Sequence, residues 1–180
     1  MAESGHGRGR GVWWAAAAVA LATFGAVAVA VVLLVSGGGS GSPATRARVY
    51  SSFQACLVTG ARGIADPQAA PVWAGMEDAS LRTRAMVSYL AVTGPSTEGN
   101  ALSFVNSLVL RHCDVIVASG TAQLAAALAD AHRFTAIRFV LAGSGVDGPA
   151  AGANVTVVPA GAAARSAIAS VVAADVAAAR

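Results

Sequence analysis

The sequence predicts an α/β domain, a three-layer αβα sandwich around a mainly parallel five-stranded sheet, preceded by one N-terminal transmembrane helix. Two observations in the 180 residues predict it. Beyond residue 50, short apolar runs that do not alternate with polar residues are separated by helical patterns, as in a sheet covered on both faces. Before residue 36, one apolar run continues for more than twenty residues. The alternation of strands and helices implies right-handed crossovers and the strand order 2-1-3-4-5.

The strands follow from the apolar, β-branched runs, and the helices from their periodicity. We expect strands at Ala55–Thr59, Met86–Val92, Val115–Ala118, Ile137–Leu141 and Val155–Val158. A stripe at i, i+3, i+4 and i+7 spacing, such as Ala101–Leu108, marks each intervening helix. Thr97 and Thr121 stand where helix N-caps are expected. The first helix should begin near Gln68–Ala70, which places Pro71 in the first turn, where proline is tolerated.

In a parallel sheet of this order, ligands bind beyond the carboxyl ends of the strands. Three turns line that edge: Gly60–Asp66, Ser119–Thr121 and Ala142–Asp147. The chemistry of the domain should therefore be found in these turns.

The N-terminal region predicts a membrane anchor. Residues 12–35 contain no charge, and such a helix reaches roughly 36 Å, enough to cross a hydrocarbon core of about 30 Å. Arg8 and Arg10 precede the run, and Trp13 and Trp14 suit the membrane interface. We expect residues 1–11 to be cytoplasmic, residues 36–49 to be a flexible Gly/Ser linker, and residues 50–180 to form one extracytoplasmic lobe at the plasma membrane.

A cleaved signal peptide is the alternative, with a cut within Ser36–Ala47. The apolar core of a signal peptide normally runs about 7–15 residues, shorter than this one, so a retained single-pass helix is favoured. No cysteine lies near the end of the run, which argues against processing as a lipoprotein.

Composition and motifs exclude several classes of function. The formal charge of +3 is spread thinly and only as arginine, whereas nucleic-acid binding needs clustered cations. His112 and His132 should end two helices, where a cation is ordinary, and His6 lies in the cytoplasmic tail. Ser119 lacks a nucleophile elbow, and no metal-ligand, dinucleotide or P-loop motif is present. We therefore expect no enzyme, no metal and no cofactor.

Three residues admit two interpretations. Cys56 and Cys113 should start neighbouring strands, so a disulfide is possible in an oxidising compartment, but two buried free thiols are favoured. Asp66 is a carboxylate at the carboxyl edge. It could accept hydrogen bonds from a ligand, but capping the following helix is the favoured interpretation.

Several motifs together resemble one family. Residues 56–79, CLVTGARGIADPQAAPVWAGMEDA, are similar to the first strand, loop and helix of the basic membrane protein family of ABC-transporter substrate-binding proteins. These are purine-nucleoside-receptor-like proteins with the type 1 periplasmic binding fold. Gly63-Ile64, Asp66 and Trp73-Ala74-Gly75 match the family pattern, and residues 111–120, RHCDVIVASG, resemble its strand ending in Gly.

The resemblance implies a solute-binding component for a nucleoside-like ligand, working with the permease of an ABC transporter. It places ligand contacts at Gly63, Asp66, Gln68, Gly120 and Gly143. Two departures stand against that activity. The family's Ser-Phe-Asn triplet is Gln68-Ala69-Ala70 and its Asp is Gly143, and the chain covers only the first of two lobes. The alternative is an interaction or sensor-like lobe without a small-molecule ligand, using its open edge or a sheet edge and pairing with itself or another protein.

Overall fold

A computed structural model describes residues 49–143 and 152–180. The predicted cytoplasmic tail, transmembrane helix and most of the linker lie outside the described residues, as does Asp147. Within the described part of the chain, no helix is both long and apolar enough to cross a bilayer. Arg48–Arg180 form one compact unit.

The described residues form five strands, four α-helices and one short 3-10 turn. The strands are β1 (Gln54–Thr59), β2 (Met86–Ala91), β3 (Val115–Ser119), β4 (Arg138–Ala142) and β5 (Val155–Val158). The helices are α1 (Ala69–Thr83), α2 (Glu98–Leu110), α3 (Thr121–Ala131) and α4 (Ala162–Ala178), and the 3-10 turn is Gly63–Ala65. Each strand lies within one residue of its predicted bounds.

All five strands are parallel, in the order β2-β1-β3-β4-β5. The predicted α/β class and strand order are confirmed. β1 and β3 are buried along nearly their whole length because helices cover both faces of the sheet. β2 and β5 are the two edges.

The two faces of the sheet carry separate cores. One contains Leu57, Val117 and Val140, which pack with α1 and α4 through side chains such as Met76 and Ile168. The other core, built with α2 and α3, contains the following buried residues of the sheet: Cys56, Val58, Ile116, Ala118, Phe139 and Leu141. Successive residues of one strand therefore enter opposite cores, as the pleat requires.

The helix ends agree with the predictions except at α3. The Thr97 side chain accepts from the backbone N–H of Asn100 and caps α2. Thr121, predicted as a cap, is instead the first residue of α3, and Gly120 is its N-cap. Only one residue separates β3 from α3, so the chain turns at once and Gly120 takes a φ of 107° that Thr would strain to adopt.

The C-terminus of α2 ends in a Schellman motif. His112 has a φ of 59°, its N–H donates to Val109 O, and the Cys113 N–H donates to Leu108 O. His112 and His132 both follow helices, as predicted, and both are exposed. The motif turns the chain so that Cys113 points back into the core.

The helices α1 and α4 lie unusually close at Gly75. A Cβ placed on Gly75 would come within 2.4 Å of Arg165 O and 3.0 Å of Ile168 Cβ. Beside this crossing, the Arg165 guanidinium makes two hydrogen bonds to the Asp78 carboxylate, of 2.7 and 3.0 Å. That pairing lowers the pKa of Asp78.

Candidate functional site

The turn Gly60–Asp66 leaves the carboxyl end of β1, as predicted, and Gly63 within it packs against the neighbouring strand. Gly63 is buried and has a φ of +59°. A Cβ there would touch the Tyr89 ring at 3.4 Å, so the turn lies directly against β2. Tyr89 in turn meets Trp73 edge to face, with ring centroids 5.4 Å apart. Gly63 therefore holds the turn on the sheet edge.

Asp66 caps the turn that leads into α1, whose N-cap position is Gln68. Its Oδ1 accepts from the Gln68 backbone N–H at 2.9 Å, and its backbone carbonyl accepts from Ala70 at 2.8 Å. The Arg62 guanidinium lies 3.9 Å from the other carboxylate oxygen, in a largely exposed pair. Gln68 is exposed, and its backbone N–H is committed to Asp66. This geometry is the capping arrangement that the sequence favoured.

Gly120 stands at the carboxyl end of β3, and the Gln123 side chain covers it. A Cβ on Gly120 would come within 2.5 Å of Gln123 Oε1, and Gln123 is only 2% exposed. Ser119, immediately before it, is 2% exposed and so offers no accessible hydroxyl. Gln123 is the polar side chain at this edge that the sequence did not single out. It is the third residue of α3 and belongs to no motif that points to a ligand.

Gly143 follows β4, and Leu124 of α3 fills the space beside it. A Cβ on Gly143 would lie 2.6 Å from Leu124 Cδ1, and Leu124 is 9% exposed. An aspartate at this position, as in the family that the sequence resembles, would have to displace Leu124. Because Gly143 has no side chain, Leu124 of α3 can pack against the end of β4.

The carboxyl edge brings together four of the predicted contacts but gives them structural tasks. Gly63, Asp66, Gly120 and Gly143 pack, cap or turn the chain. Three clefts lined by the described residues open away from this edge. One of about 300 Å³ lies between Thr135–Arg138 and Asn154, at the amino end of β4.

Two further clefts flank the edge strand β2. One of about 460 Å³ lies between α1 and β2, and one of about 320 Å³ lies at the amino end of β2. Tyr50, Ser80 and Val87 line both. The exposed apolar side chains Tyr50, Leu81, Met86 and Tyr89 surround them. Four of the seven large apolar side chains that are exposed among the described residues therefore lie on β2 or beside its clefts.

Cys56 and Cys113 form a disulfide, with their Cα atoms 6.0 Å apart. The preference for two free thiols is thereby corrected. The sequence placed both cysteines at the starts of neighbouring strands. The Schellman motif at the end of α2 sets Cys113 just before β3 and turns its side chain toward β1. Both cysteines are almost fully buried, and such a bond is typical of an oxidising compartment.

Two polar residues that the sequence did not single out hold loops in place. The Asn154 amide donates to the carbonyls of Ala131, Phe134 and Ile137, and so fixes the connection from α3 to β4. Asp130 is fully buried, and one carboxylate oxygen bonds to Arg133 at 3.1 Å. Burial raises the pKa of Asp130. Neither residue belongs to a motif, so only the folded chain reveals its partners.

Comparison with known proteins identifies the fold. No protein-family model matches the chain, and no curated protein matches it. Among solved structures, it is similar to a fragment of a protein from Peptoclostridium difficile 630 that is described as a lipoprotein. The two share a TM-score of 0.57 and 11% identity, over 68% of this chain and 98% of the other. At that identity the likeness shows a shared α/β fold and no more.

Proposed function

We propose that this chain is a membrane-anchored, extracytoplasmic, binding-protein-like lobe that acts by contact with other proteins rather than by enclosing a nucleoside. The observation that carries the proposal is the use of the carboxyl edge. Asp66 caps the turn that leads into α1, Leu124 occupies the space beside Gly143, and Gln123 covers Gly120. A ligand at this edge would meet a carboxylate that already caps a turn, a glycine covered by Gln123 and a space already filled by Leu124.

Location is part of the same proposal. The apolar run of residues 12–35 supplies the anchor, and the disulfide between Cys56 and Cys113 suits a domain exported to an oxidising compartment.

Capture of a nucleoside-like solute for an ABC transporter is the second candidate. The resemblance to the basic membrane protein family favours it, as does the position of Gly60–Asp66 at the carboxyl end of β1. A single lobe leaves one side of such a ligand in water, whereas pockets normally bury most of a ligand's surface. This candidate therefore requires a second lobe opposite the first.

Thermal unfolding of residues 48–180 with a panel of purine and pyrimidine nucleosides tests whether this lobe alone binds a nucleoside. A ligand at about 100 times its Kd would add about 2.7 kcal/mol to the free energy of unfolding and raise the midpoint. We expect no shift with any nucleoside. A shift that disappears in the Asp66→Ala variant, while that variant still folds, would refute the interaction proposal and establish nucleoside binding at this edge.

A further inference from the structure

The edge strand β2 contains none of the residue types that usually protect a sheet edge. Natural edges carry charged residues, proline or bulges, or are very short, because their unpaired backbone groups otherwise recruit another strand. Met86–Ala91 contains no charge and no proline over six residues, whereas β5 at the opposite edge has four residues and is followed by Pro159. Met86 is 38% exposed and Tyr89 is 45% exposed.

The backbone hydrogen bonds identify which groups of β2 face outward. The N–H groups of Met86 and Val92 donate to Phe53 and Thr59, so the even-numbered residues of β2 pair with β1. With a period of two, the odd-numbered residues direct their N–H and C=O groups away from the sheet. These are Val87, Tyr89 and Ala91, and none of the described residues bonds to those groups.

We propose that this edge pairs with β2 of a second copy of the chain, antiparallel and with Tyr89 on the two-fold axis, to form one continuous sheet. This inference rests on the proposed function and names its partner. In an antiparallel pair, directly opposed residues have their side chains on the same face of the sheet. A two-fold axis must therefore lie between one residue and the same residue of the second copy. Centring it on Tyr89 opposes Val87 with Ala91 and joins all outward backbone groups of the three residues.

The charges around β2 favour the antiparallel arrangement. Arg84 and Arg111 are exposed at the amino end of β2, where Arg111 lines the same cleft as Met86. Glu98 is exposed at the other end, where the Asn100 side chain holds the start of α2 against Thr93. Antiparallel pairing brings the arginines of one copy toward Glu98 of the other. Parallel pairing would bring like charges together.

The side chains suit a second copy better than solvent. Tyr89 would oppose Tyr89 across the axis, and cross-strand aromatic pairs are among the more favourable pairs in sheets. On the same face, Tyr50 and Leu81 extend the apolar surface beyond the strand itself.

Sedimentation of residues 48–180, a compact unit, tests the proposal with three variants. We expect the wild type to be a dimer and Tyr89→Lys to be a monomer of unchanged helix content. Tyr89→Glu alone should also be monomeric. An equimolar mixture of Tyr89→Lys and Tyr89→Glu should dimerise again, because residue 89 meets its own counterpart on the axis. Leu110→Lys, which adds the same charge at a residue 78% exposed and away from β2, should remain a dimer.

A wild type that stays monomeric at all accessible concentrations would overturn the self-pairing, as would a dimer that survives Tyr89→Lys. A Lys/Glu mixture that stays monomeric would overturn the register centred on Tyr89. None of these results depends on nucleosides. Failure of the self-pairing is therefore distinguishable from failure of the interaction proposal, which the nucleoside panel measures separately.

Discussion

The substitution Gly75→Ala should destabilise the lobe, although alanine is the better helix former. Alanine in a helix interior is favoured over glycine by about 1 kcal/mol. Against this gain, the new Cβ would lie 2.4 Å from Arg165 O and 3.0 Å from Ile168 Cβ. The first contact is with backbone, which cannot move aside as a side chain can, so α1 and α4 must separate.

Overpacking of a well-packed core typically costs about 1–3 kcal/mol, and occasionally more. Because a backbone contact of 2.4 Å lies at the severe end of such clashes, we expect a net loss of about 1–2 kcal/mol after the gain in helix propensity. For a domain of this size the loss corresponds to a fall of about 3–8 °C in the midpoint. Equilibrium unfolding in urea, followed by circular dichroism, measures the free energy directly.

Gly99→Ala supplies the matched control. Gly99 is also helical, near the start of α2, but a Cβ there would meet nothing within 4 Å. This variant should therefore be neutral or slightly more stable than the wild type. The reasoning is refuted if Gly75→Ala is as stable as the wild type, or if both substitutions change stability equally.

Four further substitutions or treatments test other features of the lobe. The disulfide between Cys56 and Cys113 closes a loop of 57 residues in the unfolded chain. Reduction opens that loop and should lower the free energy of unfolding by about 4 kcal/mol in the chain-entropy estimate. The double alanine variant should not respond to reductant. Burial raises the pKa of Asp130 above its ordinary value of 3.8. Between the unfolded and folded pKa values the folded state therefore binds more protons than the unfolded chain. The free energy of unfolding should fall as pH rises from about 3.8 through the raised pKa. In Asp130→Asn the fall should be smaller in urea titrations at a series of pH values, and an unchanged profile would contradict the assignment. Asn154→Ala removes the donor from three carbonyls and should cost about 1–3 kcal/mol, whereas a neutral result would mean that water replaces the amide. Asp66→Ala should cost about 1 kcal/mol through the lost cap, measured in the same assay, and a cost near zero would show that the cap contributes nothing.

The sequence alone determined the fold class and most of its detail. Apolar runs that do not alternate predict strands covered on both faces, and the regular exchange of strands with helical stripes predicts a parallel sheet. These signals are local or nearly so, and they gave all five strands within one residue. Capping by Asp66 was also readable, because a cap and its helix are adjacent in sequence.

The site depended on contacts between residues far apart in the chain. Gly75 matched a family motif in the sequence, but its close approach to Arg165 emerges only when α1 and α4 cross. The same holds for Leu124 beside Gly143, since a side chain 19 residues away in sequence cannot be inferred to fill a space that only folding creates. The disulfide was misjudged because a Schellman motif, set by a left-handed His112, decides where Cys113 points.

The sequence therefore determined what kind of sheet this protein forms, through periodicity that depends on neighbours in the chain. Only the tertiary structure decided which groups remain free. At the carboxyl edge, where a ligand was expected, Asp66 caps a turn and Leu124 fills the space beside Gly143. The strand order puts β2, which carries no charged residue, at the edge of the sheet with one side of its backbone unpaired among the described residues. Burial and hydrogen bonding are properties of distant residues brought together, so no local pattern could assign them.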